Sequence, residues 1–226
     1  MSATKTQRYL VIFDCDGVLV DSEPTSNRVL ASAITQAGLS MEPDEVALTF
    51  EGMRLRDIQA SIERRLGRKL PEGWLADFEA RRAAAFEKGL AAIPGVADVL
   101  SQVSAAGIPT CVASQASRRK MELTLGLTGL KDYFPTSALF SSTMVERGKP
   151  YPDLFLLAAE SMGFEPSQCI VVEDGVPGVQ AGCQAGMKVL GYAPGDNADR
   201  LADAGAQVFA SMTALAELLG IGSGGR

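Results

Sequence analysis

The chain contains no histidine in its 226 residues. That absence removes every mechanism needing an imidazole base, Ser-His-Asp hydrolysis among them, and any histidine-ligated metal. Cysteine is scarce as well. Cys15, Cys111, Cys169 and Cys183 have neither the paired spacing of a zinc site nor the density of a disulfide scaffold. Three of them fall in or beside predicted buried strands and read as small apolar residues. There is no basic excess: the net charge is −6, which argues against nucleic acid or an anionic membrane as a partner. A phosphorylated metabolite stays within reach, because a local cation can reverse the overall sign. The apolar run that follows polar, basic residues 1–8 ends at Asp14, far short of a secretory core or of the ~18 residues a membrane span needs. The expected location is cytoplasmic, and the expected state a monomer or weak homodimer.

What is present is organised around Tyr9 to Glu23, YLVIFDCDGVLVDSE. Tyr9 to Phe13 is apolar without alternation, which is how a strand buried on both faces of a parallel sheet reads. Asp14 and Asp16 then point to one side of an extended backbone, and Gly17 lets the chain turn away. Two carboxylates this close repel each other unless a cation lies between them or one takes a proton. Such oxygen ligands suit Mg²⁺. A calcium loop is ruled out, since it needs its glycine at the sixth position and a helix in front. An Asp-Gly turn accounts for Asp16 and Gly17 but not for Asp14 or the further acid Asp21.

From Glu23 to about Ile93 the pattern is helical. Val29, Leu30, Ala33, Ile34 and Ala37 form one apolar stripe ending at Gly38, and Leu55, Ile58, Ile62 and Leu66 another ending at Gly67. A third helix is predicted over 72–88, with Trp74 and Phe78 inward. A βαβ crossover needs only a dozen residues, so residues 23–92 are expected to form an inserted helical cap, and residues 1–22 and 93–226 an α/β core. Beyond Pro94-Gly95 strands are predicted at 110–114, 138–142, 169–172, 188–192 and 207–210. The helices between them cover 96–106, 117–125, a stretch opened by Pro152, and 177–185, with one more closing the chain. Such alternation implies a Rossmann-like, mostly parallel sheet with helices on both faces. Gly178, Gly182 and Gly186 recur every four residues and read as a helix face pressed on the sheet. The final GIGSGGR reads as a frayed tail.

Ligands of open α/β sheets bind beyond the carboxyl ends of the strands. There the chain places Asp14 and Asp16, then Ser114, then Lys149, predicted to be held extended by Pro150, then Glu173 and Asp174. Acids from two strands, a hydroxyl and a cation are what a phosphoryl-transfer site needs. Ser114 has a second reading as the cap of the following helix, and Lys149 as a solvated loop lysine.

DCDGVLVDSE resembles the first motif of the haloacid dehalogenase (HAD) superfamily in its phosphatase form. The order Asp, Ser, Lys, Glu-Asp, with GKPYPDLF and EDGVPGVQAG, is similar to the full set of four motifs. The resemblance covers the core and matches the cap in type only. It implies a two-step phosphatase in which Asp14 attacks phosphorus and Asp16 serves as acid and then base. Mg²⁺ would be held by Asp14, the carbonyl of Asp16, and Asp174, with Glu173 a direct or indirect ligand; Lys149 and Ser114 would hold the phosphoryl oxygens. The cap would exclude water, and its loop FEGMRLRDI would supply substrate contacts from Gly52, Arg54 and Arg56. Gln115 replaces a usual Asn or Ser beside the phosphate, and Gly175 a usual serine. A β-phosphoglucomutase-type activity is disfavoured, because that enzyme's cap-hinge histidine is here Ser26; a dehalogenase is disfavoured by the presence of Asp16. The remaining alternative, a metal-binding regulatory protein without turnover, draws on Gln115 and Gly175. Phosphosugars and phosphosugar acids such as 6-phosphogluconate are the substrates expected by analogy.

Overall fold

The computed structural model describes residues 9–221. The basic stretch 1–8 and residues 222–226, most of the expected frayed tail, lie outside the described residues. Strand β1 (Leu10–Phe13) is wholly buried. Val11 and Phe13 enter one apolar cluster while Leu10 and Ile12 enter another, so both faces of the strand are dry and the sequence has no reason to alternate there.

Four helices follow: α1 (Glu23–Gln36), α2 (Pro43–Phe50), α3 (Leu55–Leu66) and α4 (Trp74–Phe86). The chain then alternates through α5 (Val96–Ala105), β2 (Thr110–Ser114), α6 (Arg118–Leu127), β3 (Leu139–Ser141), α7 (Asp153–Met162) and β4 (Cys169–Glu173). It finishes with α8 (Val176–Gln184), β5 (Lys188–Tyr192), α9 (Ala198–Asp203), β6 (Gln207–Phe209) and α10 (Met212–Leu218). The described strands form one parallel sheet in the order β3-β2-β1-β4-β5-β6. The chain winds outward from β1 to β3 and then returns to lay β4 on the other side of β1. Strand order therefore reverses between β1 and β4, the place where such sheets open a crevice. Phe13 pairs with Val112 on one side and Val172 on the other, so Asp14, Ser114 and Glu173 emerge along a single rim.

Residues of α5, α6 and α10 cover one face of the sheet, among them Leu100, Met121 and Leu215; α7 and α8 cover the other through Phe155 and Val179. Helices α1 to α4 share a separate cluster holding Leu30, Ile34, Ile58, Ile62, Trp74 and Phe78, with the two aromatic rings stacked at 6.0 Å. The strands of chain entering and leaving this helical block lie side by side: Asp21 N–H donates to the Ala91 carbonyl and Ile93 N–H to that of Leu19, both at 3.0 Å.

Three details depart from expectation. Helices α2 and α9 carry too few buried residues (Val46 and Phe50 in one, Leu201 in the other) to mark a period. Gly186 is not part of a packing row: it lies beyond the end of α8 at φ +74°, where a left-handed residue stops the helix. Lys149 lies inside a turn closed by Tyr151 N–H on the Gly148 carbonyl, and its peptide bond to Pro150 is cis. No described helix is long and apolar enough to cross a membrane.

Candidate active site

Asp14 continues the β1 ladder by one bond, its N–H donating to the Val172 carbonyl at 2.9 Å. This fixes the residue at the rim, and its side chain is buried against Lys149. Lys149 Nζ donates to Asp14 Oδ1 at 2.5 Å, Glu173 Oε1 at 2.5 Å and the Ala113 carbonyl at 3.0 Å. All three ammonium protons are thus committed, so Lys149 is no solvated loop lysine. The other oxygen of Glu173 accepts from the backbone N–H groups of Asp174 and Gly175 at 3.1 and 3.2 Å.

One carboxylate oxygen from each of Asp14, Glu173 and Asp174 lies within 4.8 Å of the others. Burial pushes the Asp14 carboxyl up to about 8, with the charges of Glu173 and Asp16 adding to the effect and Lys149 opposing it. Burial, then Glu173 and Glu23, pushes Asp174 well above the usual range. Burial alone would depress Lys149, but Asp14 and Glu173 outweigh it and hold the ammonium above its ordinary value. Two buried acids and the half-buried Asp174 against one buried lysine leave an excess of negative charge, and hard oxygen donors in that excess fit Mg²⁺.

Asp16 is arranged differently. Its carboxylate is not among the three clustered acids; Oδ1 accepts from Lys120 Nζ at 2.8 Å and from the Ser22 hydroxyl. Burial acts to raise its pKa, yet Lys120 and Ser22 outweigh that and lower it. Gly17, at φ +79°, is required twice over: for its left-handed backbone, and because a methyl there would run into the Asp174 carboxylate. Gly178 likewise leaves room for Glu173, whereas Gly182 makes room for Val171 and Val189; only the second is packing in the sense the sequence suggested.

Ser114 is buried at the end of β2 and its Oγ accepts from Ala116 N–H at 3.1 Å. The cap of α6 is Ser117, which accepts from Lys120 N–H, so Ser114 is left facing the site. A cavity of about 600 Å³ is lined by Asp14, Asp16, Ser114, Gln115, Lys149, Glu173 and Asp174, and also by Gly52, Arg54 and Arg56 of the helical block. All the site residues predicted from sequence therefore meet one space. Arg56 meets it only at the lip: its side chain is 65% exposed. Sequence reasoning missed Ser22, Lys120 and Arg82, which line the same cavity. Lys120 and Arg82 lie in polar stretches of helix, and nothing local distinguishes them from solvated residues.

A buried acid at the switch point, flanked by a committed lysine and two further acids, gives this α/β fold a single charged site beyond the strand ends. The profile of haloacid dehalogenase-like hydrolases matches residues 10–186. The 6-phosphogluconate phosphatase of Escherichia coli K12 is 36% identical over 80% of this chain and 80% of its own length. Hexitol phosphatase A of the same organism is 33% identical, over 82% and 83%. A solved HAD family hydrolase from Deinococcus radiodurans, with bound phosphate and sodium, superposes with a TM-score of 0.74 at 34% identity, covering 96% of this chain and 98% of that one. The chain belongs to the haloacid dehalogenase-like hydrolase family, and it sits among that family's phosphatases.

Proposed function

We propose that the protein is a Mg²⁺-dependent phosphatase that hydrolyses a small phosphosugar or phosphosugar acid through an aspartyl-phosphate on Asp14. The observation carrying this reading is the set of buried Asp14, Lys149 and Glu173 with half-buried Asp174 at one sheet rim. The names of its relatives, a phosphogluconate and a hexitol phosphatase, support the substrate class.

Asp14 attacks phosphorus as the ester P–O bond breaks, and the leaving alkoxide takes a proton from Asp16. A water molecule then gives its proton to Asp16 and attacks the same phosphorus, freeing Asp14 and inorganic phosphate. Asp16 is held ionised by Lys120 and Ser22, so its acid role requires a proton taken up as the anionic phosphoryl group arrives, which raises a neighbouring carboxyl's pKa. Lys149 and Ser114 balance and orient the phosphoryl oxygens. Asp14, the Asp16 carbonyl, and Asp174 would hold the cation, with Glu173 beside them, and the cation would supply charge neutralisation. Residues 23–92 act as a cap on the core formed by 1–22 and 93–226, closing the cavity against water.

The test is Asp14→Asn against wild type on p-nitrophenyl phosphate, with and without Mg²⁺. Turnover by the wild type that needs Mg²⁺ and vanishes in the variant is expected. Equal, near-zero rates in both would favour the regulatory alternative.

A further inference from the structure

We propose that Gln115 and Arg54 form a clasp that fastens the helical block over the cavity, and that the clasp is built to be reversible. The inference rests on the reading of residues 23–92 as a cap, and it adds what holds that cap shut.

Gln115 carries a side chain of the core onto a backbone group of the cap: its Nε2 donates to the Gly52 carbonyl at 2.7 Å and to the Lys149 carbonyl at 3.2 Å. Arg54 makes the reverse connection. From the start of α3 its Nη1 donates to the Glu146 carbonyl of the core at 2.9 Å. The loop between these two bonds is pressed on the core as well: Gly52 has φ +66°, and a methyl there would come within 2.7 Å of the Pro177 ring. Beside it Arg200 pairs with Glu51 at 2.8 Å, an exposed contact of the kind that contributes little. The block is tethered to the core by the paired segments around Asp21 and Ile93, an axis about which it swings when the clasp parts.

Closing also carries a local cost. Gln115 Oε1 and Arg54 Nη2 are buried without a partner among the described residues. Both lie against one spot of core backbone: a methyl on Gly148 would overlap Gln115 Oε1 and Arg54 Nε and come within 2.8 Å of Arg54 Nη2. Gly148 has no left-handed backbone, so what its missing side chain supplies is room for the clasp. A buried donor or acceptor without a partner forfeits the hydrogen bond that water would give it, and lifting the loop restores that bond to both atoms. The closed junction thus gains two cross-links and leaves two polar atoms dry, opposing effects of similar size. Two states so nearly matched exchange readily, and a bound substrate that adds contacts only in the closed one tips the population.

The experiment places spin labels at Leu48→Cys and Thr143→Cys, which line the cavity from the block and from the core, in the full-length protein with Mg²⁺. Cys183→Ser removes the exposed native thiol; the other three cysteines are buried. Double electron–electron resonance then reads the distance across the cavity mouth. Gln115→Ala and Arg54→Ala each cut one cross-link, and Gly148→Ala wedges both. Each is expected to raise the ratio of long to short distances at least about threefold over the labelled parent. A ratio that any of the three leaves unmoved, or moves toward the shorter distance, overturns the clasp. Circular dichroism checks folding, and Gln115→Asn, one methylene too short to reach Gly52, takes the place of any variant that does not fold. Turnover of p-nitrophenyl phosphate by the wild type separates the two ideas: an active enzyme whose distances do not respond sinks only the clasp, and an inactive protein whose distances do respond sinks only the phosphatase.

Discussion

Lys120 Nζ lies 2.8 Å from Asp16 Oδ1, across 104 residues of chain, and the same ammonium sits over the ring of Phe86, 5.8 Å from its centroid. Both side chains are largely enclosed. Asp16, the proton carrier of the proposed mechanism, thus rests in a fixed ion pair. Replacing Lys120 by Met leaves that carboxylate with the Ser22 hydroxyl and the charge of Arg82, and kcat/KM at neutral pH is expected to fall about 10–100-fold. Asp16 has a lowered folded pKa, so its stabilising contribution is present above the ordinary 3.8 and is lost as pH falls through the lowered value. The variant should therefore be less stable by about 1–3 kcal/mol near neutrality, with the gap closing in acid. Melting curves across pH check this; a constant gap would show that the pair does not set it.

The acid cluster makes the opposite prediction. Asp14 has its pKa raised from 3.8 to about 8, and Asp174 is raised as well. Raised acids stabilise the fold below their ordinary values, and that contribution is lost as pH climbs through the folded ones. Metal-free protein should lose stability between those limits. Mg²⁺ should offset the loss, by about 2.7 kcal/mol at a hundredfold excess over Kd. Thermal melts with EDTA or Mg²⁺ at about pH 5.5 and about pH 8.5 measure it; the gain from Mg²⁺ should be larger at the higher pH, and an equal gain at both would contradict the titration.

Lys149→Met removes the one cation between Asp14 and Glu173. Two buried carboxylates are left uncompensated, so the metal-free variant should be destabilised by about 3–5 kcal/mol. Phosphatase activity should fall by at least about a hundredfold, since a charge aimed at the transition state is lost. Mg²⁺ should recover part of the stability but not the rate. Chemical denaturation and single-turnover kinetics separate the two effects.

Gly178 and Gly182 lie on one face of α8 and should respond differently to a methyl. Gly182→Ala presses on Val189 at 2.7 Å, and overpacking of this kind costs about 1–3 kcal/mol. Gly178→Ala displaces the Glu173 carboxylate, which orients Lys149. Its expected signature is a loss of kcat of about tenfold or more with a smaller change in melting temperature. Should Gly182→Ala be the one that loses rate, the assignment of the two glycines is reversed.

The strands, helices α1, α3 and α4 and the acids at the strand tips were legible along the chain. Each is a local property: an unbroken apolar run, a 3.6-residue period, or a motif confined to a few consecutive residues. Asp14, Ser114, Glu173 and Asp174 could be named because each ends or directly follows its strand, and Lys149 because Gly-Lys-Pro after a strand matches the third motif. What the folded chain alone decided is which of these groups are partnered. The pairing of Asp16 with Lys120, the commitment of Lys149 to two acids, and the free edges of Arg54 and Gln115 all join residues distant in sequence. Such contacts depend on where the backbones pass, and no periodicity encodes them. Gly178 makes the same point: its spacing suggested packing, and only the approach of Glu173 ties it to the site.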